Sequence, residues 1–297
     1  MRDVAGKTAF ITGGGSGVGF GMAHAFTAAG MNVVIADLRQ DHLDEAMKSL
    51  PSARTHAIRL DVTDRAAMAL AADETERVFG KVHVLCNNAG INLFNDIGEA
   101  SYDDWDWILG VNLGGVVNGI QSFVPRIKAH GEGGHVVNTA SMGAFIASAR
   151  PGIYCTSKFA VRGLSEALRG SLAHHRIGVS VLCPGLVKSA IYESERSRPA
   201  HLMMGAKPTD PQFLERLAQV HSVGMAPEEV GAKVLRGIQR NDFYIFSHPE
   251  FKEELRALFD EVLQALPDEP VPHERLEFEE GRRAAVREDR ASWPKLA

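Results

Sequence analysis

Between Thr8 and Gly21 a short apolar strand, Thr8-Ala9-Phe10-Ile11, runs into Thr12-Gly13-Gly14-Gly15-Ser16-Gly17-Val18-Gly19-Phe20-Gly21, with six glycines in nine positions. No packing element is built that way. Glycine has no Cβ, so such a turn takes positive φ and lets backbone N–H groups approach a ligand closely. The segment from Phe20 to Ala29 has helical spacing, and its N-terminal amides and dipole face the same point, favouring a pyrophosphate there. Strand, glycine turn and helix form the dinucleotide-binding pattern, with contacts expected from Gly13, Ser16, Gly17, Val18 and Gly19. Alone, a glycine run also occurs in ordinary turns and linkers. Here Met31-Asn32-Val33-Val34-Ile35-Ala36-Asp37 adds a second strand ending in an acid, which favours the ligand.

Asp37 lies 18 residues after Gly19, about the separation at which a carboxylate accepts hydrogen bonds from the adenosine ribose hydroxyls. A carboxylate there repels a 2′-phosphate, so the expected cofactor is NAD rather than NADP. Arg39, two residues on, is the feature that favours NADP.

The rest of the chain narrows the partners. Its 297 residues carry a net charge of -5 with no basic stripe, which argues against nucleic acid. Met1-Arg2-Asp3-Val4-Ala5-Gly6-Lys7 does not read as a signal peptide, and no run reads as membrane-spanning, so the expectation is a cytoplasmic protein with no membrane partner. Cys86, Cys155 and Cys183 are far apart and form no C-x-x-C pair, which suggests neither a disulfide framework nor a thiolate metal site. The pair His174-His175 has no third ligand at suitable spacing, and no metal is expected.

Apolar strand-like runs alternate with helical patterns, the signature of βαβ units. The fold expected is α/β: a doubly wound, mostly parallel seven-stranded sheet of Rossmann type with helices on both faces, forming a single domain over residues 1–266. Functional side chains are then expected at strand carboxyl ends. Asp61-Val62 follows strand three and is placed to meet the adenine, and Asn88-Ala89-Gly90 follows strand four, where small and amide residues leave room for a ligand. Ser101 and Asp104 have capping-box spacing at the start of a long helix to about His130. Within it Asn112 is either bonded to backbone or part of a polar relay. Ser141 ends strand five, and thirteen residues later comes Tyr154-Cys155-Thr156-Ser157-Lys158. Residues four apart share a helix face, so the Lys158 ammonium is expected to lower the Tyr154 pKa from about 10 and make it a general base.

Taken in order, Thr12-Gly13-x-x-x-Gly17-x-Gly19, Asp37, Asp61, Asn88-Ala89-Gly90, Asn112, Ser141, Tyr154, Lys158 and Pro184-Gly185 resemble the short-chain dehydrogenase/reductase family over roughly Lys7 to Ser189. That resemblance implies that Ser141 steadies the substrate oxygen and Tyr154 exchanges the proton. It also implies that Lys158 tunes Tyr154 and holds the nicotinamide ribose, and that Asn112 anchors a water linking Lys158 to solvent. Pro184, Gly185 and Val187 join the cofactor set, and Ser189 stands where a threonine commonly helps bind the carboxamide. The stretches Ser101–Asn112, Phe123–Arg126 and Gly134–Ser141 further resemble a bacterial branch that includes NAD-dependent Cα-dehydrogenases of lignin-derived β-aryl ethers.

From Leu186 to Met225 the chain reads as a long irregular substrate loop beside the nicotinamide site. Val187, Ile191, Tyr192, Met203 and Met204, with Leu93, Phe94, Phe145 and Ile146 from earlier loops, are expected to form a mostly apolar pocket. Phe243–Phe246 reads as a seventh strand and Pro249–Leu266 as a helix. Residues 267–297 form a charged extension that either crosses a neighbouring subunit or is solvated. Small-residue and aliphatic stripes on the helix after Tyr154 suit burial on two sides, and the resemblance implies a homodimer or homotetramer. The activity expected is hydride transfer between NAD and a bulky, largely apolar secondary alcohol or ketone. The alternatives are an NADPH-dependent carbonyl reductase and a non-catalytic dinucleotide sensor.

Overall fold

A computed structural model describes residues 1–293; the last four residues of the C-terminal extension lie outside the described residues. The first half runs β1 (Thr8–Thr12), α1 (Gly17–Ala28), β2 (Asn32–Asp37), α2 (Gln40–Ser49), β3 (Thr55–Arg59), α3 (Arg65–Phe79) and β4 (Val84–Asn87). There follow α4 (Tyr102–Leu109), α5 (Gly115–His130), β5 (Gly134–Thr139), α6 (Gly152–Ala173) and β6 (Ile177–Cys183). The last elements are α7 (Pro211–Ser222), α8 (Pro227–Arg240), β7 (Tyr244–Phe246), α9 (Lys252–Gln264) and α10 (His273–Ser292).

All seven strands join one sheet in the order β3-β2-β1-β4-β5-β6-β7, and every pairing is parallel. A parallel sheet covered on both faces needs apolar residues at odd and even positions alike. β1 and β2 supply them: Ala9, Ile11, Val33 and Ile35 enter one core with α1 and α8, while Phe10, Val34 and Ala36 enter the other with α3 and α5. The chain reverses direction across the sheet between β1 and β4, which pair with Ile11 opposite Cys86. Ligands bind α/β sheets in the crevice outside such a switch point.

Local chemistry sets the boundaries that aim residues at this crevice. The capping box opens α4, with Ser101 Oγ accepting from the Asp104 amide at 3.2 Å and the Ser101 amide donating to Asp104 Oδ2 at 2.9 Å. Between α4 and α5 the helix widens into one π turn, Gly110–Gly114, so a single helix runs from Tyr102 to His130. This helix is long and apolar enough to cross a membrane by length and composition, with half of its most apolar window buried in the fold, which corrects the expectation that no run reaches that length. Helices α1 and α8 meet through glycine: a Cβ on Gly21 would stand 1.9 Å from the Pro227 carbonyl oxygen, and one on Gly231 would stand 2.0 Å from that of Gly21.

Two stretches differ from the sequence expectation. The segment Leu186–Met225 is not irregular: it holds the 3₁₀ stretches Ile191–Ser197 and Ala200–Leu202 and helix α7. Asp210 caps α7, accepting from the Gln212 amide at 3.0 Å ahead of Pro211, a start signal with a proline at the first helical position. The extension forms α10, which returns to α6, where the Trp293 ring lies 5.9 Å from the Arg169 guanidinium. Cys86, Cys155 and Cys183 are free and buried.

Candidate active site

The carboxyl ends of β1, β4 and β5 are tied together by two polar side chains. Thr12 Oγ1 accepts from the Asn88 and Ala89 amides at 2.9 and 3.0 Å. Asn88 Nδ2 donates to the Thr12 and Gly13 carbonyls at 3.1 and 3.3 Å, and its Oδ1 accepts from Thr139 Oγ1 at 3.2 Å. The Gly14 amide donates to the Ala36 carbonyl at 3.0 Å and the Gly15 amide to Asp37 Oδ2, so the amides left for the crevice are those that open α1. Gly13 has φ +62, and a Cβ there would stand 2.9 Å from Ala89 Cα; a Cβ on Gly19 would stand 2.1 Å from the Gly13 carbonyl oxygen. Such a cradle fits a dinucleotide pyrophosphate, and side chains at those two positions do not fit it.

One cleft extends from this turn in both directions. At one end it is lined by Asp37, Leu38, Arg39, His42, Asp61 and Val62; at its centre by Gly13, Ser16, Gly17, Val18 and Asn88-Ala89-Gly90; at the other end by Ser141, Tyr154, Lys158, Pro184, Gly185, Val187 and Ser189. Of the expected cofactor residues, Gly19 alone stands behind the wall, where its lack of a side chain lets α1 approach the turn. Asp37 Oδ2 accepts from the Gly15 amide at 3.2 Å and Oδ1 from the Arg39 amide at 3.1 Å. The Arg39 guanidinium turns to Asp41, with Nε donating to Oδ1 at 3.0 Å. Asp61 Oδ1 accepts from the Thr63 amide and hydroxyl at 2.9 and 2.8 Å.

Ser141, Tyr154 and Lys158 meet at the other end. Lys158 Nζ lies 5.3 Å from the Tyr154 ring centroid and donates to the Thr139 carbonyl at 2.9 Å. Burial pushes the Tyr154 phenol up to about 12, against a downward pull from its hydrogen bond with Ser141. Burial also brings the Lys158 ammonium down to about 8. The Tyr154 pKa is thus raised where the sequence led us to expect Lys158 to lower it, because desolvation disfavours phenolate and ammonium alike.

Asn112 resolves toward backbone. Fully buried in the π turn, its Oδ1 accepts from the Ile91 amide at 2.8 Å, and its Nδ2 donates to the Ile91 carbonyl and to Ser157 Oγ, both at 3.0 Å. Ser157 Oγ donates in turn to the Tyr154 carbonyl at 2.6 Å. Asn112 thus fixes both the Gly90-Ile91 wall and the helical turn that carries Tyr154. A Cβ on Gly90 would lie 3.3 Å from Lys158 Nζ and 3.4 Å from Asn112 Oδ1, so lysine, amide and glycine crowd one point.

Of the expected pocket residues, Phe94, Val187 and Ile191 line the cleft. The others stand elsewhere. Leu93 packs in a core cluster with Trp107, Ile108 and Ile153. Phe145 is core, 5.6 Å from the Phe246 ring and 6.0 Å from the Tyr244 ring, and Ile146 packs against the same cluster. Tyr192 stacks on His221 at 5.4 Å, leaving His221 to line the cleft. Met203 and Met204 are exposed at 52% and 79%. Apolarity alone does not distinguish a core face from a pocket face, and loops hold both. Sequence reasoning missed Asn92, Glu193, Ser194, Arg196, Ser197 and His221, all on the cleft wall. Their only sequence signal is polarity within a stretch read as apolar. Among the described residues no group of three or more His, Cys, Asp or Glu stands ready to hold a metal.

The family described as short chain dehydrogenase matches residues 7–200. A Cα-dehydrogenase of Sphingobium sp. (strain NBRC 103272 / SYK-6) is 42% identical over 269 residues, covering 90% of this chain and 88% of that protein. A solved short-chain dehydrogenase of Novosphingobium aromaticivorans superposes with a TM-score of 0.83 at 46% identity, covering 97% of this chain and 98% of that one. A short-chain dehydrogenase/reductase of Burkholderia phymatum, solved in complex with NAD, superposes with a TM-score of 0.84 at 36% identity, covering 92% and 100%.

Proposed function

The chain belongs to the short-chain dehydrogenase/reductase family and is an oxidoreductase of alcohols, and we propose that it uses NAD on a bulky, largely apolar secondary alcohol or its ketone. The observation that carries this reading is the cleft itself, which joins a glycine cradle to the Ser141, Tyr154 and Lys158 cluster. Gly13, Ser16, Gly17 and Val18 would hold the pyrophosphate, Asp37 the adenosine ribose, Asp61 and Val62 the adenine, and Lys158, Pro184, Gly185, Val187 and Ser189 the nicotinamide half. The chemistry that NAD supplies when bound is hydride exchange with the carbinol carbon.

The protein's own part is proton handling. Ser141 Oγ accepts from the Gly143 amide at 3.1 Å and donates to the Pro184 carbonyl at 3.5 Å, a long bond that a substrate oxygen would replace. Tyr154 is protonated at neutral pH, so in ketone reduction it donates that proton to the developing alkoxide. In alcohol oxidation it must first lose the proton, and the Ser141 hydrogen bond together with the Lys158 cation stabilises the phenolate. The apolar members at this end, Phe94, Val111, Val187 and Ile191, favour a substrate with a large hydrocarbon or aryl part. A benzylic alcohol of a β-aryl ether is the candidate to test first, given the 42% identical Cα-dehydrogenase.

NAD is preferred to NADP because Asp37 faces the ribose position while Arg39 is turned toward Asp41. A non-catalytic sensor is disfavoured, since Tyr154 and Lys158 are present with the Asn112 and Ser157 support behind them. A cytoplasmic homodimer or homotetramer with neither nucleic-acid nor membrane partners completes the proposal, and light scattering tests the assembly. The deciding experiment follows NADH formation across a panel of aryl and aliphatic secondary alcohols that includes β-aryl ether dimers. Turnover of bulky aryl members is expected; absence of turnover with every member refutes the substrate class.

A further inference from the structure

The cleft has a roof that begins over the catalytic end at Ile191 and carries charges the mechanism leaves unused. The stretch Ile191–Ser197 is held down where Ser194 Oγ accepts from the Asn92 amide at 3.0 Å. Just upstream, Ser189 lies so near the glycine turn that a Cβ on Gly17 would stand 3.2 Å from the Cβ of Ser189. From this roof Glu193 and Arg196 line the same cleft as Asp37, Arg39 and His42 on the floor. The two roof side chains pair at 2.7 Å, and on the floor Arg39 pairs with Asp41. Each arginine is therefore held by its own carboxylate, and Asp37 adds a third acid. Asp41 does most to hold the Arg39 guanidinium charged, and the Glu193 charge adds to it from the roof.

We infer that Glu193 is a specificity-determining residue that excludes a second phosphate from the adenosine ribose, by repulsion and by occupying Arg196. The inference rests on the reading that the cleft holds a dinucleotide with its adenosine at Asp37. With Asp61, which lines the same end, four carboxylates against two guanidiniums oppose a phosphate dianion. Arginine is the side chain best matched to phosphate geometry, and an exposed pair three residues apart contributes little to the fold. Removing the acid therefore turns Arg196 from a masked cation into a phosphate ligand. The selectivity is thus shared between the end of β2 and a loop more than 150 residues later in the chain.

The test measures dissociation constants of NADH and NADPH by fluorescence titration at low ionic strength, for the wild type, Glu193→Gln and Arg196→Gln. The NADPH-to-NADH ratio is expected to fall about tenfold in Glu193→Gln and to rise severalfold in Arg196→Gln, with both shifts shrinking in high salt. Opposite signs distinguish the charge effect from a loss of structure, and if one variant fails to fold the other still decides. A wild-type ratio below one overturns the NAD preference itself. A ratio above one that neither substitution moves by more than about twofold overturns the role of Glu193 and leaves that preference standing.

Discussion

Replacing Lys158 by Met should make the protein more stable and catalytically inert. Burial brings the Lys158 ammonium from 10.5 down to about 8, and at about 1.4 kcal/mol per pH unit this amounts to about 3 kcal/mol against the charged form. Met has similar length without the charge. It gives up the 2.9 Å bond to the Thr139 carbonyl, which costs about 1–2 kcal/mol. The net gain is about 1–2 kcal/mol at pH 7, or about 2–6 °C in Tm for a domain of this size. Between pH 8 and 10.5 the folded wild type binds fewer protons than its unfolded chain, so wild-type stability rises with pH across that window. The variant has no such slope, so its advantage should be full below pH 8 and gone at pH 10, where the lost Thr139 bond leaves it level with or behind the wild type. Calorimetry without nucleotide at pH 7 and pH 10 reads both points. A variant melting at or below the wild type at pH 7, or a gap that persists at pH 10, refutes the reasoning.

Four further outcomes follow from the same geometry. Tyr154→Phe should lower kcat by at least about 100-fold while the NADH dissociation constant stays within about twofold; turnover near wild type removes the tyrosine from the mechanism. Because Tyr154 titrates at about 12, kcat/KM for alcohol oxidation should climb with pH from neutrality upward, while ketone reduction should stay level there; an oxidation rate that falls with pH contradicts this. Arg198→Met leaves Asp104, 2% exposed, without its cation, at a cost of about 3 kcal/mol. Urea denaturation should show it as a lower midpoint, and an unchanged midpoint refutes the role of the pair. Gly19→Ala places a methyl 2.1 Å from the Gly13 carbonyl oxygen, and calorimetric titration should show NADH binding weakened at least about tenfold; unaltered affinity means the turn is not the pyrophosphate cradle.

Periodicity and glycine chemistry made the sheet and its crevice legible. The runs Thr8–Ile11, Met31–Asp37 and Phe243–Phe246 each lie within a residue of β1, β2 and β7, because both faces of a parallel sheet demand continuous apolar runs. Residues at strand ends, such as Asp37, Asn88 and Ser141, were legible for the same reason: the end of a strand fixes where a side chain stands. Loops gave no such guide. Leu93 and Phe94 are neighbours of like polarity, yet one is core and one faces the cleft. Helix α7 was hidden inside a stretch read as one irregular loop, although Asp210-Pro211 signalled its start. The sign of the Tyr154 shift was out of reach, since it depends on how much wall surrounds the phenol. Likewise the Asn112–Ser157 link joins positions 45 residues apart.

The buried pair of Arg198 and Asp104 has a kinetic corollary. Arg198 is 4% exposed and Asp104 2%, and Trp107 lies against the guanidinium at 5.2 Å. Swinging that end of the covering segment outward would carry Arg198 away and strand the Asp104 carboxylate in an oily seam, so it stays shut like the hung side of a door. Opening of the cover at this end is then resisted by residues that touch no reacting atom.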